Sequence, residues 1–143
     1  MKARMPPLLA LALFGCGGSD ATGPSSADWK GSWAYSHLVG GEGMTCSETG
    51  SVHFESAGSH LAGTFDGRGG CESASISLDY AKTGPASGQV GGDSVAFTLT
   101  ASLESCLYQG TLEAGAADKA SGAVVCTPAD GGVPRHGSWS MRR

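Results

Sequence analysis

From Trp33 onward, apolar and polar side chains alternate with a period of two, and this constrains the fold more than any other feature of the chain. Val95, Phe97 and Leu99 alternate with Ser94, Ala96, Thr98 and Thr100. Ile76, Leu78 and Tyr80 alternate with Ser75, Ser77 and Asp79, and Leu61, Gly63 and Phe65 with Ala62, Thr64 and Asp66. Val52 and Phe54 alternate with Ser51, His53 and Glu55, and Trp33 and Tyr35 with Ala34 and Ser36. Successive side chains of a strand point to opposite faces, so each segment reads as a half-buried strand with its apolar side inward. The stretches 106–113, 119–127 and 136–142 continue the pattern less cleanly. Small-residue runs at 56–59 and 91–93 supply turns. No helical period emerges, and 24 glycines tell against long helices, because an interior Gly costs about 1 kcal/mol relative to Ala.

Eight or nine strands at this spacing predict an all-β fold, an antiparallel up-and-down β-barrel, with a β-sandwich as the alternative. Closing the sheet buries one apolar face per strand and removes the unpaired edges of an open sheet. An eight-stranded barrel is wide enough either to be filled by its own side chains or to hold one small ligand. Trp33, Tyr35, Phe97 and Tyr108 are among the inward candidates, and their rings either fill the interior or line a ligand pocket.

Four cysteines, Cys46, Cys71, Cys106 and Cys126, follow the N-terminal region. An even number in a small exported domain reads as two disulfides. A turn at Gly115 and Ala116 sets Glu113 opposite Lys119, Thr111 opposite Ser121 and Cys106 opposite Cys126. A hairpin about Gly58 likewise brings Cys46 to Cys71. The expected bridges are therefore Cys46–Cys71 and Cys106–Cys126.

The chain opens with Lys2 and Arg4, then a short apolar run from Met5 to Phe14. That run is shorter than the roughly 20 residues a membrane-spanning helix needs, and it has the layout of a secretory signal peptide. It ends in Leu13-Phe14-Gly15-Cys16, which resembles the lipobox of bacterial lipoproteins. The resemblance implies that Cys16 receives a diacylglyceryl group, that residues 1–15 are removed, and that the new amino terminus is acylated. Two or more acyl chains anchor stably where one does not. Residues 16–28, rich in Gly, Ser, Thr and Ala, read as a flexible tether, leaving 29–143 as the barrel domain. Gly17, where lipoproteins of the inner membrane often carry Asp, implies an outer-membrane destination. The expected location is thus the bacterial cell envelope, with the domain in the periplasm or at the cell surface.

Gly31-Ser32-Trp33 near the first strand and Gly137-Ser138-Trp139 in the last resemble the calycins, the lipocalin-like and avidin-like barrels. The resemblance implies a tryptophan packed at one barrel end beneath a late arginine, Arg142 or Arg143. It also implies a carrier of a small apolar or amphiphilic ligand.

Chemistry is sparse. The formal net charge is −4, and the one adjacent basic pair, Arg142-Arg143, makes no patch, which argues against a nucleic-acid partner. Glu42, Glu48, Glu55, Asp66, Glu72, Asp79, Asp93 and Glu104 are scattered singly and read as solvated surface. No nucleophile elbow, HExxH or CxxC motif occurs, so neither cofactor nor metal is expected. His53 and Glu55 share a strand face with His60 across the hairpin, the sole candidate set for a metal-dependent hydrolase. The expectation is a non-catalytic, lipid-anchored protein that binds a small ligand, or an interaction or structural module with a filled core.

Overall fold

A computed structural model describes residues 29–143. The expected signal peptide, Cys16 and the tether lie outside the described residues. Eight strands follow in order: β1 (Gly31–Gly41), β2 (Met44–Ala57), β3 (His60–Glu72), β4 (Ser77–Gly91), β5 (Ser94–Thr100), β6 (Glu104–Glu113), β7 (Ala116–Pro128) and β8 (Arg135–Arg142). Each pairs antiparallel with the next, and β8 closes onto β1, giving the closed barrel. Among the described residues, no helix is long and apolar enough to cross a membrane.

Parity along each strand sorts the side chains. Odd-numbered residues face inward on β1, β3, β5 and β8, even-numbered ones on β2, β4, β6 and β7. The interior is occupied by stacked rings rather than by space. Phe97 lies flat on Tyr108 at 4.7 Å between centroids, and Phe54 and Trp139 meet Phe97 edge-on at 5.3 and 5.5 Å. Such edge and offset contacts add about 0.5–1.5 kcal/mol each beyond burial. The rings fit because small residues face them. A Cβ on inward Gly110 would lie 2.7 Å from a Trp139 ring carbon.

The end at which β1 begins is sealed. Trp29 stacks on Trp33 at 5.1 Å, and Trp33 Nε1 donates to the Trp29 carbonyl at 2.9 Å. The Arg143 guanidinium lies 4.7 Å over the Trp33 ring and donates to the carbonyls of Lys30 and Ala117 at 3.4 and 3.2 Å. Of the two arginines that the calycin resemblance offered, Arg143 is the one that covers Trp33.

Both disulfides form as expected, Cys46–Cys71 joining β2 to β3 and Cys106–Cys126 joining β6 to β7. The β6–β7 register holds from Cys106↔Cys126 through Thr111↔Ser121 to Leu112↔Ala120. The expected Glu113–Lys119 pairing does not form. The register shifts after Leu112, Glu113 pairs with Ala116, and Lys119 pairs with Arg142. The reason lies in the extra residues 117–119, whose carbonyls at Ala117 and Asp118 receive Arg143.

A second correction concerns β4. Ile76 and Leu78 were expected inside, yet they are 55% and 59% exposed. Only Ala86–Gly91 of β4 pair with β5, whereas β3 pairs with β4 from Ser77 onward. The first half of β4 therefore outruns its neighbour and has no wall beside it, so Leu78 has nothing to pack under. The seam opens at the end of the barrel opposite Trp33, here termed the mouth.

Candidate functional site

A cleft of 420 Å³ occupies this seam, within the usual range of about 300–1,000 Å³ for small-molecule sites. The β4 side contributes Leu78, Tyr80 and Lys82, and the segment before β4 contributes Ile76. Opposite stand Leu103 and Glu104 at the start of β6, with Met44 and Arg135 from β2 and β8. Leu103, 79% exposed, is held in a tight turn where the Ala101 N–H donates to the Glu104 carbonyl at 2.9 Å.

Apolar side chains rim the cleft and charged ones floor it. Glu48 and Glu104 are buried on the inward faces of β2 and β6. Lys82 Nζ donates to Glu48 Oε2 at 2.8 Å and also to Glu104 Oε1. Arg135 donates to Glu104 Oε2 at 2.5 Å, and the Tyr35 hydroxyl donates to Glu48 Oε1 at 2.5 Å. Every carboxylate oxygen in the chain Glu48–Lys82–Glu104–Arg135 thus has a donor. Lys82 also lies 4.3 Å over the Tyr80 ring. Gly67 makes this network possible, since a Cβ there would lie 2.7 Å from Glu48 Oε1 and closer still to the Tyr35 hydroxyl.

The electrostatics follow from burial and pairing. Burial acts to raise the Glu48 carboxyl, but the hydrogen bonds from Lys82 and Tyr35 and the Lys82 charge prevail and hold it below its ordinary value. Burial lowers Lys82, with Glu48 opposing. Tyr35, Tyr80 and Tyr108 are pushed well up, chiefly by burial, and keep their protons at neutral pH. Below the floor, His37 is lowered to about 4, chiefly by burial, and is neutral. Its Nδ1 lies 2.7 Å from the Tyr108 hydroxyl, while Nε2 has no partner among the described residues. The Nε of Arg135 is likewise buried without an acceptor. An unmet buried polar group costs about 1–3 kcal/mol.

Of the two roles open to the candidate rings, filling and lining, the structure shows filling. Trp33, Tyr35, Phe97 and Tyr108 are all at least 97% buried, packed in the core, and none lines the mouth cleft. Tyr35 reaches the site indirectly, through Glu48. His53, Glu55 and His60 sit on the outer face on separate rungs, opposite Thr64, Ala62 and Ala57, and His53 Nδ1 is engaged with the Ser32 hydroxyl at 3.0 Å. Glu104, Cys106 and Cys126 are the one potential metal-ligating group among the described residues, but both sulfurs are in the disulfide. Glu48 and Glu104, expected at the surface, are inside because they share parity with Cys46, Val52 and Phe54 and with Cys106 and Tyr108. The same parity, read along β1, β4 and β8, also places His37, Lys82 and Arg135 inside.

What these features define is a closed, disulfide-stapled antiparallel barrel with a solid interior and an amphipathic cleft at its mouth. No protein-family model and no curated protein matches the chain. Among solved structures it is similar to the S-type phycobiliprotein lyase CPES from Guillardia theta, at 6% sequence identity and a TM-score of 0.46, over 82% of this chain and 89% of the lyase.

Proposed function

We propose that this is a non-catalytic, lipid-anchored protein of the bacterial cell envelope whose barrel binds a small amphiphilic molecule at its mouth. The observation that carries the ligand half is the cleft itself, with exposed Ile76, Leu78 and Leu103 above buried Glu104 and half-buried Lys82 and Arg135. An apolar tail would lie along the rim and a polar head would meet the floor. A few placed polar groups in an apolar surround are the usual makeup of a small-molecule site. The membrane half rests on the lipobox resemblance at Leu13–Cys16.

Native mass spectrometry of protein purified from its host tests the ligand half. A co-purifying small molecule is the expected result, lost in Leu103→Glu. An exposed side chain such as Leu103 tolerates substitution with little effect on folding, within about 0.5 kcal/mol. A bare mass in both proteins would overturn it. Growth with a labelled fatty acid should tag the protein, and Cys16→Ala should abolish the tag; an unlabelled wild type would contradict anchoring. A second reading, an interaction module with a filled core, is favoured by the ring packing around Phe97. It gains if the cleft takes no small molecule.

A further inference from the structure

We infer that the mouth cleft selects an uncharged head group, that of a neutral amphiphile bearing an ester, amide or hydroxyl acceptor, over a fatty carboxylate or an alkylammonium. The inference rests on the reading of the mouth as a ligand site and concerns which chemistry that site accepts. The charged cluster at its floor is balanced: Lys82, Glu104 and Arg135 line the cleft, and Glu48, outside the lining, pairs with Lys82. The balance is also local. Lys82 is shared between both carboxylates, and Arg135 closes the remaining oxygen of Glu104.

An incoming carboxylate would find no free cation and would add a third negative charge to a largely desolvated group. An incoming ammonium would find no free carboxylate oxygen and would have to displace Lys82 or Arg135. In a medium less polar than water, either mismatch weighs more than it would at the surface. The Arg135 Nε is buried beneath the floor without an acceptor, so the floor offers no unmet charge, only the N–H groups of Lys82 and Arg135 already turned to Glu104. A neutral oxygen acceptor shares those donors without disturbing the sum of charges. The apolar rim supplies contact for a tail, and the packed rings below the floor keep the molecule in the cleft.

The test is a dye-displacement series on the full chain carrying Cys16→Ser, which removes the lipid attachment point and keeps both disulfides. The probes share one alkyl chain: monolaurin, laurate and dodecylamine, each below its micellar concentration at neutral pH. Monolaurin is expected to bind at least tenfold more tightly than either charged probe. Glu104→Gln, which leaves an acceptor in place but gives the floor one net positive charge, should shift preference toward laurate at least fivefold. Laurate or dodecylamine binding as tightly as monolaurin to the parent protein would overturn the inference while sparing the ligand reading. An unchanged preference in folded Glu104→Gln would overturn its electrostatic basis. Failure of all three probes to displace the dye would overturn the ligand reading itself.

Discussion

His37 lies on the inward face of β1 with Nδ1 against Tyr108 and no partner for Nε2. Its folded pKa is about 4 against 6.5 for the free side chain. Between those values the unfolded chain binds the proton and the folded one does not, so stability rises with pH across that window. The full difference is worth about 3 kcal/mol. Denaturant titrations from pH 7.5 down to 4 should show that loss, and His37→Gln should flatten it; an equally steep profile in the variant would place the cause elsewhere. Glu48, held below its ordinary value, adds a further loss as pH falls through its folded pKa. Lys82 sits between two buried carboxylates, so Lys82→Met should cost about 3–5 kcal/mol by leaving Glu48 without a cation, while Glu104 keeps Arg135. The exposed Lys119→Met should fall within about 0.5 kcal/mol. None of these groups stands out as a single letter. Parity with Val52, Tyr108 and Trp139 places Glu48, Glu104 and Arg135 inside, but which of them touch depends on pairings between strands distant in sequence.

At the scale of elements, the strands were largely legible because half-buried strands must alternate, and all of the alternating segments from Trp33 to Leu99 lie on or beside strands. Ile76 and Leu78 were misread because the strand there lacks a neighbour. Leu78 alternates correctly, and only the short β5 explains why it is exposed. The open half of β4 carries devices that keep such an edge from pairing with another chain: an inward lysine at Lys82 and a proline at Pro85. The two disulfides close loops with sequence separations of 25 and 20 residues, and removing either should cost about 3 kcal/mol. Peptide mapping without reduction should return Cys46 with Cys71 and Cys106 with Cys126. Gly110→Ala would press against the Ser121 carbonyl and Trp139, and should cost about 1–3 kcal/mol. Gly40→Ala, with its nearest atom at 3.6 Å, should leave thermal stability nearly unchanged. Equal shifts in the two would contradict the tight ring packing.

Over the whole molecule, the two barrel ends are built differently. One is sealed by Trp29, Trp33 and Arg143, and the described chain enters the barrel there. The other opens into the cleft. The mouth lies on the far side of the barrel from the point where the described chain enters. The sequence indicated a closed barrel and two staples, but not whether the interior was hollow, since the same rings serve as filling or as lining. Packing answers that question: Phe97 and Tyr108 are filling, and the proposed binding surface is the seam beside β4. The most direct test is an amide chemical-shift titration of the Cys16→Ser chain with monolaurin. Saturable shifts gathered at Ile76–Thr83 and Ala101–Glu104 are the expected result. Shifts centred on Phe97, Tyr108 and Trp139, or none at all, would contradict the account.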